Sequence, residues 1–153
     1  MRLSKYQGDE TLQDYRRRRT RWRQSQERTV KTHIRTRDGI GCRWPGCEFW
    51  KQGYRVDAAH VEAKGIGGDK RLYRTTTANL IRLCIRHHLG PFSLHSGDLR
   101  IVALTERGAD GPVQFEVRDP KAPEGWRVEG VEDDFTFQAR RDDAAGDRDE
   151  DGA

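Results

Sequence analysis

Cys42-Arg-Trp-Pro-Gly-Cys47 and Cys84-Ile-Arg-His87 each set two metal-binding side chains a few residues apart, and together they use every cysteine of the chain. Four residues separate the first pair and two the second, spacings at which each loop can give two ligands to one tetrahedral zinc ion. A Cys3His shell has no open position, so the zinc expected at Cys42, Cys47, Cys84 and His87 is structural. His88 follows immediately. Consecutive helical side chains diverge by roughly 100°, so His88 turns away from the metal that His87 serves and is free to serve another. His60 lies between the two knuckles, and a neutral imidazole near pH 7 can take a proton from water, as a general base must. Taken alone, each histidine reads equally as an ordinary hydrogen-bonded side chain; their placement relative to the knuckles singles them out.

The elements that must hold these residues follow from punctuation. Residues 9–37 contain no proline and carry Leu12, Tyr15, Trp22, Val30 and Ile34 at helical spacings, which predicts one or two helices ended by Asp38-Gly39. Pro45-Gly46 predicts a tight turn inside the first knuckle. Residues 54–61 read as a strand that carries His60, Gly65, Gly67 and Gly68 as a loop, and Asn79 through His88 as an ordered stretch entering a short helix cut off by Gly90-Pro91. Residues 99–104, 113–117, 126–131 and 135–137 read as further strands. From Arg140 onward Asp, Glu, Gly and Ala dominate, a composition that predicts disorder.

Arg37-Asp38-Gly39, the Cys42/Cys47 knuckle, Ala59-His60-Val61, Gly67-Gly68, Asn79-Leu80, Leu83-Cys84 and His87-His88 occur in the order found in the HNH endonucleases, the ββα-metal or His-Me finger nucleases, which residues 28–97 resemble. The resemblance implies an α+β fold with a ββα-metal core and structural zinc over 28–97; outside it, charge and patterning read as a basic helical arm over 1–27, a small β-rich extension over 98–139 and an acidic, disordered tail over 140–153. It also implies metal-dependent hydrolysis of DNA phosphodiester bonds, with His60 as general base, Asn79 holding the loop that orients it, and His88 binding a catalytic divalent metal such as Mg2+ or Mn2+. Some relatives occur in phages and mobile elements.

One position departs from the family. The residue before the base, commonly an Asp or His metal ligand, is Ala59. Asp57 projects from the same strand face two residues earlier and is one candidate replacement; His95, beyond the Gly90-Pro91 turn, is another. Asp57 reads equally as a solvated strand carboxylate. A catalytically weak or inactive HNH-like domain that only binds nucleic acid therefore remains an alternative, as does a zinc-stapled protein-interaction module.

Composition sets the remaining bounds. With 33% hydrophobic and 35% charged residues in 153, apolar burial alone gives marginal stability, and a metal staple supplies what the core lacks. No apolar run approaches the roughly 18 residues of a membrane span, so no membrane partner is expected and the chain reads as soluble, intracellular and cytoplasmic, with its thiols reduced. Residues 1–40 hold 12 Lys and Arg against 5 Asp and Glu, whereas residues 121–153 hold 5 against 11. Arg16, Arg17, Arg18 and Arg19 beside Trp22 suit phosphate oxygens and a stacked base, and Lys64 and Arg82 flank the site; all six basic positions read equally as solvated charge. Nothing encodes base-edge readout, protein partners, or a choice between monomer and homodimer.

Overall fold

The protein was analysed as a computed structural model, which describes residues 10–62, 72–135 and 137–138. It is a mixed α+β structure. Helix α1 (Leu12–Asp38) is one helix of 27 residues, about 40 Å at 1.5 Å per residue. Thr11 caps its start by accepting a 3.2 Å hydrogen bond from the Asp14 N–H, and its hydroxyl donates to the Asp14 carboxylate at 2.5 Å. Gly39 ends it at φ 75°, where a side chain would be strained, and its N–H closes on the Arg35 carbonyl at 3.0 Å.

Strands β1 (Val56–His60) and β2 (Leu80–Cys84) pair antiparallel with Asp57 opposite Leu83 and His60 opposite Leu80. Helix α2 (Ile85–Leu89) leaves β2 without an intervening loop, because Cys84 is both the last strand residue and the helix N-cap. A second antiparallel sheet has the order β3 (Leu99–Ala103), β4 (Val113–Arg118) and β5 (Trp126–Val131). Residues 134, 135, 137 and 138 are helical where a strand was expected: Phe137 donates its N–H to the Asp133 carbonyl at 3.0 Å, and its ring packs at 5.1 Å under the buried guanidinium of Arg43. The apolar alternation there serves one side of a turn rather than a sheet face.

The core lies between the sheets. Ala59, Ile81 and Leu83 from the hairpin meet Leu99, Ile101, Val113 and Phe115 from β3 and β4, with Trp44 joining them from the first knuckle. The period-two alternation of these strands is what delivers one apolar face each. Beside this small core runs a buried ionic network. Arg43, its side chain fully buried, donates to Glu132 at 2.6 and 3.1 Å and to the carbonyls of Ala109 and Gly111 at 2.7 Å. Arg37 forks onto Asp38 at 2.6 and 2.8 Å and reaches the Leu80 carbonyl at 2.6 Å, while Asp38 accepts from the Arg82 N–H at 3.0 Å. The end of α1 is thereby bolted to β2, the strand that carries Cys84 and precedes the two histidines. Gly130 completes the packing: a Cβ there would lie 2.6 Å from Pro45 Cγ, so β5 can approach the first knuckle only without a side chain.

Candidate metal centre and its neighbouring histidines

The ligand atoms of Cys42, Cys47, Cys84 and His87 all lie within 4.8 Å of one another. His87 Nδ1 is 3.5 Å from Cys42 Sγ and 3.3 Å from Cys84 Sγ, and the Cys47 and Cys84 sulfurs are 3.7 Å apart. Tetrahedral zinc with bonds of about 2.3 Å to sulfur and about 2.0 to 2.1 Å to nitrogen gives edges of about 3.8 Å and about 3.6 Å, so the cluster has the dimensions of a possible metal site. Its donor set is that of structural zinc. Burial pushes the Cys42 and Cys47 thiols up from their ordinary value, so ionising them calls for a cation in their midst. Burial, with Arg86 beside it, keeps His87 below its usual value and hence neutral, as a ligand must be. The His87 ring is stacked on Trp44 at a 5.1 Å centroid distance and 22° between planes, which fixes the direction of Nδ1.

His88 points elsewhere. Its Nδ1 lies 3.6 Å from Asp57 Oδ2, longer than a hydrogen bond, and is buried with no hydrogen-bond partner. Two ligands about 2.1 Å from one shared ion would stand about 3.0 to 3.4 Å apart, so a small contraction would let this pair hold a cation. Burial lowers the His88 pKa; Asp57 acts against this, and His95 and Arg55 act with it. His95 follows in the turn beyond α2, its N–H bonded to the His88 carbonyl at 3.1 Å. Asp57 is not a lone carboxylate: Arg55 grips both oxygens, at 2.8 and 2.9 Å. Ala59, on the same strand face, belongs to the apolar core and is fully buried. Among the described residues the cysteine-histidine cluster is the one group of three or more metal-binding side chains that meets; His60, Asp57, His88 and His95 do not form a second.

His60 ends β1, half-buried, with Nε2 3.4 Å from Thr75 Oγ1. Asn79 fastens the chain just beyond it. The Asn79 carbonyl accepts from Val61 N–H at 2.9 Å, its Oδ1 accepts from Glu62 N–H at 2.8 Å, and its Nδ2 donates to the Glu62 and Arg74 carbonyls at 3.2 and 2.9 Å. Asn79 thus touches the strand exit and the returning chain, and acts on His60 through backbone.

Of the basic residues, Arg16, Arg17 and Arg19 are exposed on the outer half of α1, whereas Arg18 is engaged by Glu10 at 2.8 Å. Lys64 lies outside the described residues. Arg82 is half-buried, donating from Nη2 to the Ile40 carbonyl at 3.1 Å, with Nε buried and without a partner. Sequence reading missed Arg55, although an Arg-x-Asp pair on one strand face is a usable signal. It also missed Thr75 and the stacking role of Trp44, for which no local pattern exists. No helix among the described residues is long and apolar enough to cross a membrane. No family model, curated protein or solved structure matches the chain.

Proposed function

We propose that this chain is a metal-dependent endonuclease of the HNH, ββα-metal class, hydrolysing DNA phosphodiester bonds. The observation that carries the reading is the division of the histidine pair on α2: His87 faces the thiols while His88 Nδ1, buried and unpartnered, faces Asp57. In this reading His60 takes the proton of a water whose oxygen attacks phosphorus, and the P–O bond to the leaving oxygen breaks. Asn79 keeps His60 in register by fastening Val61 and Glu62. His88, with Asp57 and His95 as further donors, would hold a divalent cation such as Mg2+ or Mn2+, which would supply charge stabilisation for the phosphate and leaving oxygens. The experiment is plasmid nicking by zinc-loaded protein with Mg2+ or Mn2+, and by His60→Ala. Loss of nicking in the variant at unchanged zinc content supports the reading; equal nicking by both proteins, or none by wild type, defeats it.

Two observations favour a second reading, an HNH-like nucleic-acid-binding module with weak or no catalysis. Asp57 is already gripped by Arg55, and position 59 offers a methyl group to the core. Such a protein shifts DNA without cutting it.

A further inference from the structure

A groove of about 720 Å³ lies between the C-terminal half of α1 and the β1–β2 hairpin. Arg28, Lys31 and Arg35 line it from α1, at positions that fall on one helix face, and Arg82 lines it from β2. Two carboxylates also line it, and both are matched by arginines outside it: Glu27 by Arg23 at 3.4 Å, Asp57 by Arg55 at 2.8 Å. No ion pair joins Arg28, Lys31 or Arg35 to a carboxylate among the described residues. The groove therefore presents three α1 cations that no ion pair engages among the described residues, and beside them Arg82, which Asp38 and Asp57 attract and whose Nε donor in the wall is buried and unused. Like charges held together without a counter-ion repel, so the arrangement favours an incoming anion. Arg28 to Arg35 spans about 10 Å along the helix, about three base steps of 3.4 Å, which suits a row of phosphates better than a single one.

We infer that this groove seats the phosphate backbone of a nucleic acid and leads it toward Asp57 and His88. Only the second half of that statement rests on the endonuclease reading. Asp57 is what joins the two places: it lines the groove and stands 3.6 Å from His88 Nδ1. A strand lying in the groove would neutralise Arg28, Lys31, Arg35 and Arg82 while its next phosphate meets the histidines.

The test is fluorescence anisotropy of a labelled 30-base-pair DNA duplex with zinc-loaded full-length protein and no other divalent metal, so that no cleavage intervenes. Arg28→Gln/Lys31→Gln/Arg35→Gln keeps good helix formers. Arg118→Gln/Lys121→Gln/Arg127→Gln removes the same charge from the β3–β5 side. The groove variant is expected to lose at least about ten-fold in affinity and to flatten the log–log salt slope by about 2.7, near 0.9 per phosphate contact, while the control retains both. Equal losses in the two variants, no loss in the groove variant, or a wild type that does not bind would overturn the inference. A groove that binds in a protein that never nicks plasmid sinks the endonuclease reading alone. A nicking protein whose groove variant binds like wild type sinks the groove alone.

Discussion

At the scale of single residues, adjacent side chains carry different duties because helix geometry separates them. His87 Nδ1 lies 3.3 Å from Cys84 Sγ, whereas the next residue faces Asp57. Cys84→Ser removes a ligand from a buried cluster that has little apolar burial to fall back on. Zinc is expected to drop from about one per chain to none by elemental analysis, with loss of near-UV circular dichroism; a metal-free variant with a native spectrum would contradict the structural role. Asn79 is the residue whose effect on His60 is indirect. Asn79→Ala should slow nicking at unchanged zinc content, and Asn79→Asp should fall between it and wild type, because one carboxylate oxygen still accepts from Glu62 N–H while both donated bonds are lost. The cysteine–histidine cluster was legible in the sequence because a possible metal site of this kind draws on residues that are neighbours in the chain. The Arg55–Asp57 fork was equally local and went unread; Thr75 under His60, fifteen residues away, left no trace to read.

At the scale of elements, buried charges join the apolar core in positioning the hairpin and the segment after β5. Arg43 and Glu132 meet across 89 residues, and Arg37 reaches Leu80 across 43. Contacts of that separation have no sequence signature, which is why Arg37-Asp38-Gly39 was readable as a helix stop and part of a motif but not as a bolt between α1 and β2. Arg43→Met is expected to cost about 3 to 5 kcal/mol, since it strips Glu132 of its buried guanidinium and the Ala109 and Gly111 carbonyls of their donors. Urea titration measures it. A loss under 1 kcal/mol would mean that the network relaxes onto water and does not hold β5 against the knuckle. Strands β3, β4 and β5 were readable from alternation alone, whereas the turn around Phe137 was not, because its ring is claimed by Arg43 from outside its own segment.

At the scale of the whole molecule, stability is distributed unevenly along α1, and this shapes how a nucleic acid would be met. Ile34, Arg37 and Asp38 are its buried residues, all in the last two turns, whereas the outer half carries the Thr11 cap and ion pairs such as Arg18–Glu10 and Arg23–Glu27. Surface ion pairs contribute little, and a helical segment with little tertiary burial draws little stability from the core. The same segment carries Arg16, Arg17 and Arg19, and its repulsion between like charges works against the helix until an anion screens it. Hydrogen exchange followed by mass spectrometry should therefore show the amides of residues 15–27 exchanging far faster than those of residues 33–38, which inherit the stability of the core. Adding duplex DNA should slow exchange most across residues 24–35, where the helix forms a wall of the groove, and less toward residue 15. Protection spreading first from the outer half would instead make the arginine run the primary contact and leave the groove secondary. Raising the salt should undo the protection along with the binding, because phosphate contacts release counter-ions whereas the buried network of Arg37, Arg43 and Glu132 is screened far less.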